Sequence, residues 1–244
     1  MIDLKNLHKS FGPVHAVTDL SFSVKAGEVF GLLGPNGAGK TTTLRILATL
    51  LKPDRGQATV GGFDILTQAE QVRSSIGVVN GGMGLYDRLT GREVLHYFGK
   101  LYRLTPPQIE ARIEVLDALL ELGDTLKRRC DQFSTGMKQK IVIARAVIHD
   151  PPIIFFDEAT VGLDVMARRA VINFVKRYPS DSRTVIYSTH VMSEVEELCD
   201  RAAIIYQGRL VALDSVAALK AQHGAKSLEQ AFFATVEGSQ EVLA

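Results

Sequence analysis

The sequence holds 244 residues, 46% hydrophobic, 23% charged and without tryptophan, the composition of a globular protein of one large domain, which excludes disordered, collagen-like and fibrous chains. Lys plus Arg number 28 against 27 Asp plus Glu, so the net charge of +1 draws the molecule neither to nucleic acid nor to acidic lipid, and a phosphate ligand must be held by a local device. Cys130 and Cys199 match no metal or redox spacing, which excludes a disulfide scaffold and suits a reducing cytosol.

The Met1-Ile2-Asp3 start lacks the basic run and apolar stretch of a signal peptide, and the longest apolar stretches, 141–148 and 153–156, fall well below the roughly 18 residues of a membrane span. Ile2 and Leu4, then Phe22 and Val24, alternate as half-buried antiparallel strands do. Residues 29–33 are continuously apolar, which predicts a central parallel strand buried on both faces. A helix is predicted from Thr41 through Leu44 and Leu47 to Leu51, where Lys52-Pro53 ends it, and Val60-Gly61-Gly62-Phe63 predicts a hairpin turn. From Leu85 to His149 the pattern turns helical. Thr90 with Glu93, and Thr105 with Gln108 behind Pro106-Pro107, are capping boxes that predict helix starts at about 91 and 106. Beyond Pro151-Pro152 follow a strand at 153–156, a helix near 166–177, a strand at 184–187, a helix near 192–199 and a strand at 202–206. This is an α/β sheet domain with a helical insertion.

The 21 glycines exceed the usual ~7% and are clustered. Gly34, Pro35, Asn36, Gly37, Ala38, Gly39, Lys40 and Thr41 fit G-x-x-x-x-G-K-[ST] between a buried strand and a helix, the context this motif requires. Glycines let successive N–H groups turn inward as an anion nest, and the helix N-terminus adds partial positive charge, so β- and γ-phosphates are gripped with little net charge. Lys40 would neutralise the β/γ oxygens and Thr41 would ligate Mg²⁺, with Thr42 in the same nucleotide-binding turn. A triphosphatase also needs a second Mg²⁺ anchor and a group for the attacking water. Asp157 and Glu158 end the apolar strand and are costly to bury, so they should emerge at its carboxyl edge, where α/β sheets place ligands. Asp157 is expected at Mg²⁺, directly or through water, and Glu158 as general base or water-orienting group.

Between these motifs, Phe133-Ser134-Thr135-Gly136-Met137-Lys138-Gln139-Lys140 opens a helix and resembles, in variant form, the LSGGQ signature of ATP-binding-cassette (ABC) ATPases. Val161-Gly162-Leu163-Asp164 resembles that family's D-loop, Ser188-Thr189-His190 its switch histidine, and Phe11 stands where its adenine-stacking aromatic lies. The resemblance spans essentially the whole chain. It implies a P-loop NTPase (RecA-like) α/β fold, with a parallel-sheet core and N-terminal antiparallel β subdomain over 1–83 and 151–213, an inserted helical subdomain over 84–150 and a short helical tail over 214–244. It also implies ATP and Mg²⁺ as cofactors, Lys40, Glu158 and His190 as catalytic residues, and Thr41 and Asp157 at the metal. His190 would contact the γ-phosphate, as neutral or protonated imidazole. The P-loop leaves the outer face of that phosphate open, and a second helix N-terminus bearing a Ser hydroxyl would complete the shell. In this family that helix, here with Ser134 and Gly136, belongs to the other subunit. Two copies, or this chain and a paralogue, would form a head-to-tail ATP-sandwich dimer whose closure is the power stroke.

Where the family usually carries a glutamine, this chain has Gly81, with Asn80 beside it as a candidate substitute amide in a glycine-rich loop from 76 to 86. That departure, the variant signature, residues 84–90 and residues 188–195 are similar to bacterial exporter ATPases of the NatA sodium-efflux type. The resemblance implies a separate multi-span membrane permease as partner, a peripheral place on the cytoplasmic face of the cell membrane, and no nucleic acid. In the family a coupling helix of that permease meets the helical insertion, where Tyr86, Leu89 and Tyr97 lie. A soluble ABC switch on ribosome or DNA, and a regulatory module with little turnover, are the alternative readings.

Overall fold

Alternating apolar residues pair β1 (Ile2–Phe11) and β2 (Val14–Val24) as an antiparallel hairpin, with Ile2 opposite Val24 and Leu4 opposite Phe22, all four buried. The computed structural model, which describes residues 1–243, then runs through β3 (Val29–Leu33), buried along its whole length, into the 34–39 loop and α1 (Lys40–Leu47). Helix α1 ends short of the expected Leu51 because Thr49 takes φ +62, and the amides of Leu50 and Leu51 donate back to Arg45 O. Leu51 still packs against the core, so its helical spacing reports packing and not helix length. β4 (Arg55–Val60) pairs with β1 and turns through Gly61-Gly62 into β5 (Phe63–Asp64), the expected hairpin.

Helix α2 (Ala69–Ser75) leads into β6 (Ile76–Asn80), a strand where the sequence suggested only a connecting loop. Five residues with glycine second show no alternation. Helices α3 (Gly91–Leu101), α4 (Pro106–Leu120) and α5 (Thr135–Ala146) follow, the first two starting where their capping boxes predict, and Ile109, Ile113, Leu116 and Leu120 form the buried face of α4. Then come β7 (Ile153–Asp157), α6 (Val165–Arg177), β8 (Thr184–Thr189), α7 (Met192–Leu198), β9 (Arg201–Tyr206), β10 (Arg209–Ser215), α8 (Val216–Gln222) and α9 (Leu228–Leu243). Ala244, the end of the expected tail, lies outside the described residues. It is the parallel pairing with β7, from Ile76 opposite Ile153 to Asn80 opposite Asp157, that makes 76–80 a strand.

The larger sheet has the order β10-β9-β3-β8-β7-β6, parallel except at β10, and the smaller is the antiparallel β2-β1-β4-β5. Phe155 enters the apolar layer that joins the two sheets and α1, whereas its neighbour Phe156 enters the layer under α5 and α6, as strand alternation demands. The carboxyl ends of β3, β8 and β7 lie side by side, with Leu33 opposite Thr189 and Asp157 opposite Ser188, and sheets of this kind bind ligands at that edge.

His149 fastens the far end of the insertion to the sheet. Its ring stacks on Tyr102 with centroids 3.6 Å apart, and Nε2–H donates to Ile76 O at 3.1 Å. Burial pushes its pKa from the usual 6.5 down to about 4. The unfolded chain therefore takes up this proton first, so the contribution to stability is complete above pH 6.5, declines as pH falls toward 4 and is flat below. His149→Phe should remove a pH-dependent component on the order of 2–3 kcal/mol, read as the difference between urea denaturation at pH 7 and pH 4.5 in the two proteins.

Candidate functional site

The loop from β3 to α1 is shaped by backbone crowding. Gly39 has φ +105, and a Cβ there would stand 2.3 Å from Ala16 O, so no side chain fits where loop becomes helix. Thr43 Oγ1 donates to Gly39 O at 2.9 Å, and the Gly208 amide donates to Ala38 O at 3.0 Å, fastening the loop from both sides.

Lys40, only 4% exposed, turns its ammonium back under the loop. Nζ donates to Gly34 O at 2.8 Å and Pro35 O at 3.1 Å, and lies 3.2 Å from Glu158 Oε1. The other oxygen of that carboxylate, Oε2, is 2.7 Å from His190 Nδ1. An ionised carboxylate offers only acceptors, so His190 carries a proton on Nδ1 and donates it to this bond. Asp157 Oδ1 accepts from Thr41 Oγ1 and from Ser188 Oγ, each at 3.1 Å. Hydroxyl and carboxylate oxygens gathered this closely suit Mg²⁺, which takes one or two protein oxygens and completes its shell with phosphate and water.

Glu158 adopts φ +52, a left-handed conformation that costs a non-glycine residue on the order of 1 kcal/mol. Backbone bonds on both sides hold it there: its amide donates to Ser188 O on β8 at 3.0 Å, and the Gly81 amide, just past β6, donates to the preceding carbonyl, Asp157 O, at 3.0 Å.

Lys40, Thr41 and Glu158, with Asn36, Gly37, Ala38, Gly39, Thr42, His190 and Phe11, line one cleft of about 570 Å³, a volume that suits a nucleotide. Phe11 is half exposed on its wall. Gly34 and Pro35 act on this site through their carbonyls on Lys40. Val14, His15, Ala16 and Gln207 line the cleft as well and were not expected, since they sit at strand and turn positions that carry no motif. Ser188 was also unexpected as a partner of Asp157; only the β7–β8 register sets the two opposite each other.

Ser134 and Gly136 lie elsewhere. Ser134 is exposed at the N-cap of α5, where Oγ accepts from the Met137 amide at 3.3 Å, and with Gly136, Lys140, Met166 and Arg169 it lines a separate cavity of about 360 Å³. Asn80 is not brought into the phosphate cleft: it lines a third groove with Arg73, Met83, Tyr102 and Arg145, and its buried Oδ1 has no partner. Gly81 does reach the site from behind. A Cβ there would lie 2.9 Å from Glu158 O, so this position is closed to side chains by the backbone that holds Glu158.

A profile described as "ABC transporter" matches residues 17–161. The chain is 48% identical over 199 residues to the ABC transporter ATP-binding protein NatA of Bacillus subtilis, covering 81% of each chain. It is 40% identical over 211 residues to the Nod factor export ATP-binding protein I of Rhizobium meliloti, covering 86% of this chain and 63% of that one. Its fold is similar to a dimeric ATP-binding cassette solved in a post-hydrolysis state with ADP and Pi, at a TM-score of 0.77 and 26% identity over 88% of this chain and 98% of that one. Restoring a glutamine by Gly81→Gln should displace Glu158 and slow ATP turnover by roughly 10- to 100-fold, measured as phosphate release at saturating ATP.

Proposed function

We propose, since the chain belongs to the ABC transporter family, that its cleft hydrolyses Mg·ATP to drive an export-type transporter through head-to-tail dimerisation on a separate membrane permease. Domains of this family are ATPases, and so is this one. The observation that carries the residue roles is the line of contacts from Lys40 through Glu158 to His190, alongside the Thr41–Asp157 contact.

The amides of the 34–41 loop bind the phosphates, and the Lys40 ammonium exchanges Glu158 Oε1 for the β/γ oxygens. His190 keeps Oε2 occupied, so the oxygen released is Oε1, which accepts a proton from the attacking water. Thr41 and Asp157 would hold Mg²⁺, which when bound neutralises charge on the β- and γ-phosphates. Phe11 offers its ring to the adenine.

Ser134 and Gly136, at an exposed helix N-terminus away from the phosphate cleft, fit a role in the partner's site, where they would stabilise the open side of the γ-phosphate. Val165 and Met166, 82% and 78% exposed at the start of α6, present apolar surface that such a dimer would cover. The dimeric similar structure supports this arrangement. Family membership and the export role of the similar Nod factor protein support a permease partner and a place on the cytoplasmic face of the membrane. Among the described residues no helix is long and apolar enough to cross a membrane.

Glu158→Gln should still bind ATP, hydrolyse it at least about 100-fold more slowly and accumulate as a dimer by light scattering. Full activity in that variant would overturn the assignment.

A further inference from the structure

Glu194 is 1% exposed and lies outside the phosphate cleft. Its Oε2 accepts three hydroxyl protons, from Tyr187 at 2.9 Å and from Thr160 and Thr189 at 3.1 Å each. Arg168 Nε stands 2.9 Å from Oε1, an ion pair without hydrogen-bond alignment. A carboxylate is costly to bury, and the donors gathered around this one come from the segments that carry the catalytic groups. Thr160 follows Glu158 by two residues, and Arg168 lies in the first turn of α6 beyond the same loop. Thr189 directly precedes His190, and Glu194 follows it on α7. Thr189 Oγ1 also accepts from the Val191 amide at 3.0 Å, so one hydroxyl grips both sides of His190. Burial, with the Glu194 charge beside it, raises the Tyr187 phenol and keeps it a donor.

One more bond extends the set. Gln139 Nε2–H, on the helix that starts at Ser134 and Gly136, donates to Ala159 O at 3.3 Å. The helix offered to the partner is thus tied to the loop that Glu194 holds.

We propose that Glu194 is a positioning residue that locks the 158–164 loop to the His190 turn, so that both ends of the Glu158–His190 contact are set from outside the cleft and move together. Three hydroxyls share one buried charge, so displacing either loop strains the bonds to the other. A pull on His190 by the γ-phosphate then reaches Thr160 through Thr189 and Glu194, and reaches α5 through Ala159 and Gln139. In a head-to-tail dimer this links a chain's own nucleotide to the Ser134 it presents to its partner. The inference rests on the ATPase reading above.

The test measures ATP turnover, ATP affinity and melting temperature in the full chain and its Glu194→Gln variant, with Glu158→Gln as reference. Glu194→Gln should lower kcat about tenfold, keep the Kd for ATP within about twofold and bring the Hill coefficient for ATP toward one, alongside a lower melting temperature from the weakened buried network. A lower melting temperature with kcat and Hill coefficient unaltered would mean plain packing and overturn the proposal. Should Glu194→Gln fail to fold, Thr160→Val decides, because it keeps the shape and removes one hydroxyl: the same kcat loss supports the proposal, and wild-type kinetics overturn it. Turnover that depends on Glu158 but ignores Glu194 sinks this inference alone, whereas turnover indifferent to Glu158 sinks the ATPase roles and this inference with them.

Discussion

A positive charge buried as deeply as the Lys40 ammonium must be matched inside the protein, because removing it from water costs several kcal/mol. The match comes from three places far apart in sequence: two loop carbonyls, the Glu158 carboxylate and, through it, the His190 ring. That requirement fixes where strands end. β3 must stop at Leu33 so that the Gly34 and Pro35 carbonyls can meet Nζ, and β7 must deliver Glu158 just beyond Asp157. β8 must finish level with both, so that His190 follows Thr189. Parallel pairing of β3 with β8, and of β8 with β7, supplies this common level, and apolar packing on both faces of these strands holds it.

What was legible in the sequence was whatever local rules decide. The phosphate loop, the two capping boxes and the alternation of strands and helices after Pro152 each depend on a few consecutive residues, and each lies where expected. What stayed hidden depends on partners. Residues 76–80 become a strand only by lying along β7, and Ser188 meets Asp157 only through a register that no single strand reveals. Glu194 reads as an ordinary surface acid of a short helix until the hydroxyls of Tyr187 and Thr189 on the preceding strand, and of the distant Thr160, close around it. The end of α1 was misplaced for a related reason. Leu51 keeps its helical spacing because it packs, while Thr49 has already turned the backbone out of the helix.

Position 81, where the resemblance would place a glutamine, is crowded by its own neighbours. The chain crosses so close behind Glu158 that a Cβ would press on its carbonyl, and the same crossing supplies the amide that binds Asp157 O. Glu158 is held in its left-handed conformation by backbone bonds on both sides, its own amide to Ser188 O and the Gly81 amide to Asp157 O. Asn80 lines another groove, with its amide oxygen buried and unpartnered, and is not among the residues that line the cleft.

In the proposed head-to-tail dimer the exposed N-cap of α5 has a kinetic meaning. A reaction centre divided between two molecules proceeds only as often as they meet, so in dilute solution its velocity rises faster than linearly with protein. Two copies tethered side by side on one membrane assembly experience a local concentration in the millimolar range, whatever their number in the cell. Encounter then ceases to be the slow step. An arrangement of this kind keeps an unassembled ATPase nearly idle, so fuel is consumed mainly where a transport pathway is present to use it.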